Sequence, residues 1–594
     1  MSTNKNTSKI GSSASFIKGA WGLALPYFVR SPDRWRARLL VAMVVGLSLA
    51  IVHLLVLLNT WNRDFYDSLQ NMNQPAFWPL ITQFCILATI FLIAQVYRLY
   101  FRQMLEIRWR TWLTGQFTRR WLENQVYYRL ELDSRGTDNP DQRIAEDLQL
   151  FTNGTLRLTL DLLQQVVTLY SFIGILWTIS GPLAVPLGGS ELSIPGYMVW
   201  VAVVYAVVGS LLTHFVGRRL IPINFQRQKV EADFRFGLIR LRENAEGVAL
   251  YHGEEPEREG LMGRFERVRQ NFWDLMRVTK RLTAFVVGYN QAAIIFPLIV
   301  AAPRYFTGEF TLGVLFQISS AFDRVGGALS WFIDSYGELA GWKASVDRLL
   351  TFQNAVNLAA AEADRKDGIE VVANGGGGIR GENLDLLLPT GRTVVNDADF
   401  AIDRGDRVLL SGPTGSGKTT LFRAIAGIWP YGKGRIEVPA GARTLFLPQK
   451  PYIPIATLRW AVSYPAEVGT FSDDQIRDVL QLTGLGSLVE RLNEVENWGI
   501  QMSGGEQQRL AVARALLHKP DWLFLDEATA AIDDAGEQRL YEVLQQQLPN
   551  TTLVSIAHGP RLTRFHGRRI EIVETDGRGE LVASAADAES GARG

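Results

Sequence analysis

The chain has 594 residues, a formal net charge of +1, 47% hydrophobic and 11% aromatic residues, and one cysteine. That length exceeds a single domain, and the near-neutral charge gives no footing for nucleic acid as a partner. Cys85, being single, excludes an intrachain disulfide and offers no thiolate metal site, while a slightly positive mean hydropathy suits an integral membrane protein.

In chain order, the polar start lacks the nearby apolar core of a cleavable signal peptide. Phe16 to Val29 reads as an amphipathic helix lying in the membrane interface, within an N-terminal stretch 1–38. Six segments then reach the length of about 20 residues that crosses a bilayer as a helix: Leu39 to Thr60, Phe77 to Tyr97, Leu158 to Ser180, Tyr197 to Gly217, Ala284 to Pro303 and Thr311 to Phe332. The last is interrupted by Asp323 and Arg324, which leaves a buried soluble helix as its competing reading.

Loop charge orients these spans, because Lys and Arg collect on the cytoplasmic side. Before the first span stand Lys5, Lys9, Lys18, Arg30, Arg34, Arg36 and Arg38 against the single acid Asp33, whereas Trp61 to Ala76 and Gly181 to Gly196 hold only Arg63 between them. Both termini are therefore expected in the cytoplasm. Arg98 to Leu132 and Ile221 to Tyr251 contain few breakers and mixed charge, so they read as helical extensions beyond the membrane rather than loops.

Within the first of these, Trp109, flanked by Arg108 and Arg110, reads as a headgroup anchor. Asn139 is expected to cap a helix with Pro140 in its first turn. Arg143, Glu146 and Asp147 would then face either the C-terminal domain or another cytoplasmic helix. Polar groups at membrane depth are costly unless partnered or wet. Of His53, Asp161, Gln164, Gln165, Tyr289, Asn290, Gln291, Gln317, Asp323 and Arg324, the expected lining of a substrate cavity is Asp161, Asp323 and Arg324. Acids and amides there suit a large polar solute better than an acyl chain.

Residues 39–352 thus form one domain, 353–380 read as a linker rich in alanine, acids and glycine, and 381–576 as a second domain. The Gly, Ala and Ser-rich residues 577–594 read as a disordered tail.

The second domain opens on an apolar strand, Arg407 to Leu410, followed by GPTGSGKTT at Gly412 to Thr420. This fits G-x-x-x-x-G-K-[ST] in the strand, loop and helix context that a phosphate site requires. Gly412, Pro413, Thr414, Gly415, Ser416 and Gly417 would wrap a phosphate chain with backbone N–H groups. Lys418 would neutralise it, Thr419 would ligate Mg²⁺, and Thr420 would continue into the helix. Further on, DWLFLDE at Asp521 to Glu527 is an apolar strand ending in two acids. Asp526 suits Mg²⁺, a hard cation that takes oxygen ligands, and Glu527 is placed to polarise a water.

With MSGGEQQR at Met502 to Arg509, these motifs resemble the nucleotide-binding domain of the ABC transporter family. The resemblance implies ATP and Mg²⁺ as cofactors, with Gln449 of LFLPQKPY as the glutamine loop beside the metal. It makes Ser503, Gly504, Gly505, Glu506 and Gln507 the signature, Ala530 to Asp533 the D-loop, and His558 the switch histidine. Lys418, Glu527 and His558 would be catalytic. In that family the signature of one subunit closes on the phosphate loop of another, so one copy of each motif implies a homodimer. Two departures stand out: Met502 replaces the usual leucine, and Asp367 to Asp399 contains no aromatic residue to stack on adenine, leaving Arg392 or aliphatic packing for the base.

The phrases IRWRTWLT at Ile107 to Thr114, NPDQRIAEDL at Asn139 to Leu148 and EADFRFGLIRLRENAEGVALYHGE at Glu231 to Glu254 are similar to those of SbmA/BacA-type peptide importers and peroxisomal-type acyl-CoA transporters. This resemblance implies an exporter-type fold: an all-α transmembrane domain of six helices followed by an α/β P-loop ATPase domain. It also implies a multi-pass protein of the bacterial inner membrane, in contact with lipid. The function expected is ATP-driven import of antimicrobial-type peptides or other bulky hydrophilic solutes such as cobalamin. Export of acyl-CoA or lipidic compounds is one alternative, and an ATP-gated channel or regulator another.

Overall fold

The computed structural model describes residues 13–132, 139–187, 190–363, 368–557, 560–575 and 578–585. The chain divides into two compact units, one of Met1–Arg119 with Asp138–Gln353, the other of Arg120–Thr137 with Asn354–Gly594.

The first unit begins with α1 (Ser13–Arg30), then α2 (Arg34–Gln70) and α3 (Gln74–Leu122). At the end of α3 the chain enters the second unit and forms α4 (Val126–Leu132) there. It returns through α5 (Pro140–Gln142), a π-helical turn over Arg143–Asp147, and α6 (Leu148–Ser180). Strands β1 (Pro182–Leu187) and β2 (Ser190–Pro195) lead to α7 (Tyr197–Gly217), α8 (Leu220–Glu243), the short α9 (Ala245–Leu250), α10 (Glu254–Phe306), α11 (Leu312–Asp334) and α12 (Tyr336–Ala363). At 1.5 Å per residue, α3 and α10 are each about 70–80 Å long, more than twice a hydrocarbon core of about 30 Å. Such lengths fit helices that continue beyond the bilayer.

Among the described residues five helical stretches are long and apolar enough to span a membrane, beginning at Arg34, Gln74, Pro140, Tyr197 and Glu254. The sixth expected span, α11, is less apolar because Gln317, Asp323 and Arg324 dilute it. It is nonetheless central, packing against α2, α6, α7 and α10. Its buried side, Ile318, Ala321, Phe322 and Val325, joins Phe172, Leu176, Met198, Ala202 and Ala301 in one core. Enclosure by protein accounts for the buried Gln317, which lipid would not tolerate.

Three expectations need correction here. Between α6 and α7, β1 and β2 pair antiparallel from Pro182↔Pro195 to Leu187↔Ser190, where a loop was expected. Trp109 is no headgroup anchor: it is 1% exposed, stacked on Tyr27 at 6.1 Å and edge-on to Phe151 at 5.4 Å. Tyr27 and Phe28, near the end of α1, pack on its ring. Asn139 adopts a left-handed φ of 50° and makes no side-chain cap; its carbonyl instead accepts from the N–H groups of Gln142 and Arg143. The neighbouring acid Asp147, 2% exposed, bonds Arg143 at 2.7 Å and the Arg348 guanidinium of α12, so this cluster pairs helices within its own unit.

The second unit holds a four-stranded sheet in the order β3-β7-β4-β5, made of β3 (Ile369–Asn374), β4 (Ile379–Leu387), β5 (Thr393–Ile402) and β7 (Gly432–Pro439). Part of the stretch 353–380 that reads as linker is therefore structured: α12 runs to Ala363, and β3 pairs parallel with β7. The six-stranded sheet has the order β14-β13-β6-β12-β11-β8. Its members are β6 (Arg407–Ser411), β8 (Thr444–Leu447), β11 (Trp522–Asp526), β12 (Thr552–Ile556), β13 (Arg568–Thr575) and β14 (Arg578–Ala585). Strand β14 lies where a disordered tail was expected, held antiparallel along β13 from Arg568↔Ala585 to Thr575↔Arg578.

Strands β6, β8, β11, β12 and β13 run parallel, and their near-continuous apolar runs (WLFLD, TLVSI) are what a sheet covered on both faces requires. Helix α13 (Lys418–Ile425) follows β6. A small ribbon of β9 (Ala456–Thr457) and β10 (Val495–Glu496) joins α14 (Leu458–Ser463), α15 (Asp473–Leu482), α16 (Trp498–Gln501) and α17 (Gly504–His518). Helix α18 (Asp534–Gln547) precedes β12.

Candidate nucleotide site

The turn between β6 and α13 is built by conformations that only glycine takes without strain. Gly412 has φ +146° and a Cβ there would meet the Ile572 carbonyl at 2.8 Å. Gly417 has φ +100° at the start of α13, with Val394 3.2 Å from where its Cβ would stand. The loop thus passes close to β5 and β13 and turns sharply into a helix whose free N–H groups favour an anion.

Lys418, 6% exposed, donates from Nζ to the carbonyls of Gly412 and Pro413, 2.8 Å each. Burial lowers its ammonium from the ordinary value, while the carboxylates of Glu527 and Asp526 oppose that shift. Ser416 Oγ is buried with no hydrogen-bond partner, and the buried Thr420 follows on the helix. A cradle closed to any Cβ, an unpartnered hydroxyl and a buried ammonium fit a phosphate chain. Thr414 and Gly415, φ +82°, complete the loop.

Thr419 Oγ1 donates to Asp526 Oδ1 at 3.1 Å, joining the helix to the end of β11. Burial raises the Asp526 carboxyl, the Thr419 bond opposes this, and the neighbouring Glu527 charge adds to the rise. Glu527 sits at a left-handed φ of 49°, its N–H held by the Ile556 carbonyl at 3.0 Å. One carboxylate oxygen accepts from Gln449 Nε2 at 2.9 Å. No group of three His, Cys, Asp or Glu residues placed to hold a metal ion occurs among the described residues. The oxygen set of Thr419, Gln449 and Asp526 instead suits Mg²⁺ brought in on phosphate with waters in its remaining positions. Bound there, Mg²⁺ would neutralise phosphate charge; Lys418 would bind the chain and Glu527 would hold the water.

The signature turn is a capping box. Ser503 Oγ accepts from the Glu506 N–H at 3.4 Å, and Glu506 Oε2 accepts from the Ser503 N–H at 2.9 Å and its hydroxyl at 2.8 Å. Gly504 and Gly505 form the first turn of α17. Asp533 stands at the N-terminus of α18 without a side-chain cap bond, 3.9 Å from Arg509. His558 lies outside the described residues. Arg392 is exposed, at a turn where its carbonyl accepts from the Leu388 N–H.

Sequence reasoning overlooked two residues. Gln508, 3% exposed on α17, bonds the carbonyls of Gln449 and Glu527 and the Ala531 N–H. Arg514, 6% exposed, donates to the carbonyls of Ala461 and Tyr452 at 2.9 and 2.7 Å. Burial lowers its guanidinium to about 10. The signal was there: both are polar residues on the apolar face of a helix, five and eleven residues beyond the cap.

In the first unit, the three residues expected to line a cavity part company. Asp161 is ion-paired, 3.0 Å from Arg98 of α3 and 4.0 Å from Arg157, which reaches Glu338 of α12 at 2.8 Å. Asp323 and Arg324 are exposed, on the side of α11 away from its buried Phe322 and Val325.

The description "ABC transporter transmembrane region 2" matches residues 25–306, and "ABC transporter" matches residues 395–530. An uncharacterised ABC transporter ATP-binding protein of Synechocystis is 36% identical over 92% of this chain and 82% of its own. The lysosomal cobalamin transporter ABCD4 of Mus musculus is 28% identical, covering 78% of this chain and 79% of its own. A solved bacterial Atm1-family ABC exporter with ATP bound shares the fold at a TM-score of 0.70 and 17% identity, over 93% of this chain and 95% of that one. The chain belongs to the ABC transporter family, as a multi-pass half-transporter whose membrane region is fused to an ATPase that drives transport.

Proposed function

We propose that two copies of this chain form an importer of bulky hydrophilic solutes, peptides or cobalamin-like compounds, in a bacterial inner membrane with the ATPase domains and both termini cytoplasmic. The observation that carries the substrate class is the exposed pair Asp323 and Arg324 on α11, a helix otherwise packed among spans. Charges at membrane depth need water or a polar ligand, which an acyl chain does not supply. The relative named as a cobalamin transporter supports the same class of cargo. Pairing follows from one phosphate loop and one signature per chain. Lys418 and Mg²⁺ would spread phosphate charge, the partner's signature would hold the γ-phosphate, and Glu527 with His558 would order the water.

The test uses proteoliposomes preloaded with a labelled proline-rich peptide. ATP added outside energises only outward-facing ATPase domains, for which import is movement from lumen to bath. Loss of label with wild type and none with Glu527→Gln supports the proposal. Retention in both removes that peptide and moves the assay to cobalamin; lumenal accumulation of acyl-CoA driven by outside ATP would establish the export reading instead.

A further inference from the structure

We propose that Gln508 is a positioning residue that ties the hydrolytic carboxylate of one ATP site to the signature turn serving the other. Its amide occupies a junction of three loops. Nε2 donates to the Gln449 carbonyl at 3.1 Å and the Glu527 carbonyl at 3.4 Å, and Oε1 accepts the Ala531 N–H at 2.8 Å. The side chain is 3% exposed, so each of these bonds is made without competing water.

What the three loops do gives the junction its meaning. Gln449 and Glu527 are joined by their own side-chain bond, and Glu527 is held in a left-handed conformation that costs a non-glycine residue about 1–2 kcal/mol. A strained residue of that kind persists only when its surroundings fix it. The Glu527 N–H is fixed by Ile556, and its carbonyl accepts from Ala530 at 3.1 Å as well as from Gln508. Gln508 therefore sets both the backbone that aims the carboxylate and the loop whose side chain contacts it.

The third bond runs the other way. Ala531 lies against the signature glycines: a Cβ at Gly505 would stand 3.0 Å from the Ala531 carbonyl, and one at Gly504 3.4 Å from the Ala531 Cβ. Gln508 is also on the helix that the signature begins, one turn on from Gly504. Displacing the signature turn thus moves Ala531 and Gln508 together, and with them the Glu527 carbonyl. In a pair of copies the signature of one chain serves its partner's nucleotide, so this junction carries the state of one site to the other. That last step rests on the homodimer proposed above; the positioning of Glu527 does not.

The experiment measures ATP turnover of purified full-length protein in lipid nanodiscs, with no transported solute, for wild type, Gln508→Leu and Gln508→Glu. Turnover is expected to fall on the order of 10- to 100-fold in both variants, as for a misplaced catalytic group, with KM for ATP little changed. Wild-type cooperativity in ATP is expected to disappear. The Glu variant loses both donors while its carboxylate still accepts from Ala531. It should regain turnover as pH falls, because the protonated carboxyl donates again, a rescue that a merely structural role does not produce. Unchanged kcat in either folded variant, or loss of ATP binding in step with kcat, overturns the proposal. A non-cooperative wild type whose variants still lose turnover overturns the cross-site step alone and leaves the positioning role standing. Failure to move any tested solute affects none of these readouts.

Discussion

The nucleotide site and the charged residues of the membrane unit were both read from residue type and position, yet they fared differently. In the ATPase unit, Lys418, Thr419, Gln449, Asp526 and Glu527 are linked by hydrogen bonds among themselves or to their own loop. In the membrane unit, Asp161, Asp323 and Arg324 look alike in sequence. The first is held by Arg98 and the other two are exposed. A phosphate site is made by backbone geometry over a few consecutive residues, so its motif carries its structure. A polar lining is made by single side chains from helices far apart in sequence, and its meaning depends on which neighbours arrive.

The comparison breaks most visibly if the loop's geometry is not what binds nucleotide. Gly417→Val places a Cβ at a left-handed position, costing about 1–2 kcal/mol, and sets it 3.2 Å from Val394. Binding of a fluorescent ATP analogue is expected to be lost while the purified protein remains folded; retained affinity would refute the cradle. In the membrane unit the contrast is between two acids. Asp161→Asn loses a charged hydrogen bond to Arg98 and should destabilise by about 1–3 kcal/mol, seen as a lower thermal midpoint. Asp323→Asn should stay within about 0.5 kcal/mol, as exposed substitutions do, while changing solute transport. Equal thermal shifts would remove the distinction.

The smallest effect concerns pH. His566 donates from Nδ1 to the Leu562 carbonyl at 2.8 Å, so in the neutral ring Nε2 accepts from the Ser555 hydroxyl at 2.9 Å. Burial holds its imidazole pKa below the ordinary histidine value, and the Arg407 charge adds to that lowering. A lowered folded value favours the neutral form, so its stabilisation is full above about 6.5 and is lost as pH falls from there through the folded value. Thermal unfolding of wild type should weaken over that range more than that of His566→Gln; parallel profiles would assign the pH dependence elsewhere.

Much of the ATPase unit was legible because its signals are local. Apolar runs mark β6 and β11, the glycine pattern marks the turn, and Ser503 with Glu506 spells a capping box. Gln508 was overlooked because its role lies in three backbone groups, at Gln449, Glu527 and Ala531, that no spacing rule assembles. Strands β3 and β14 were missed for a related reason. Each lies beside glycine or small residues and pairs along an edge that β7 or β13 offers it. Trp109 between two arginines looks like an interfacial anchor until Tyr27 and Phe28 of α1 are seen to pack on it.

The sequence by itself determined the two-part architecture, the spans and the phosphate-binding chemistry, since hydropathy over about 20 residues and a glycine-rich turn act on the chain locally. Tertiary structure alone decided which charges are paired, which strands complete the sheets and how Gln508 joins three loops. Those outcomes depend on groups brought together across tens to hundreds of residues, where a buried polar atom takes whichever partner the fold supplies.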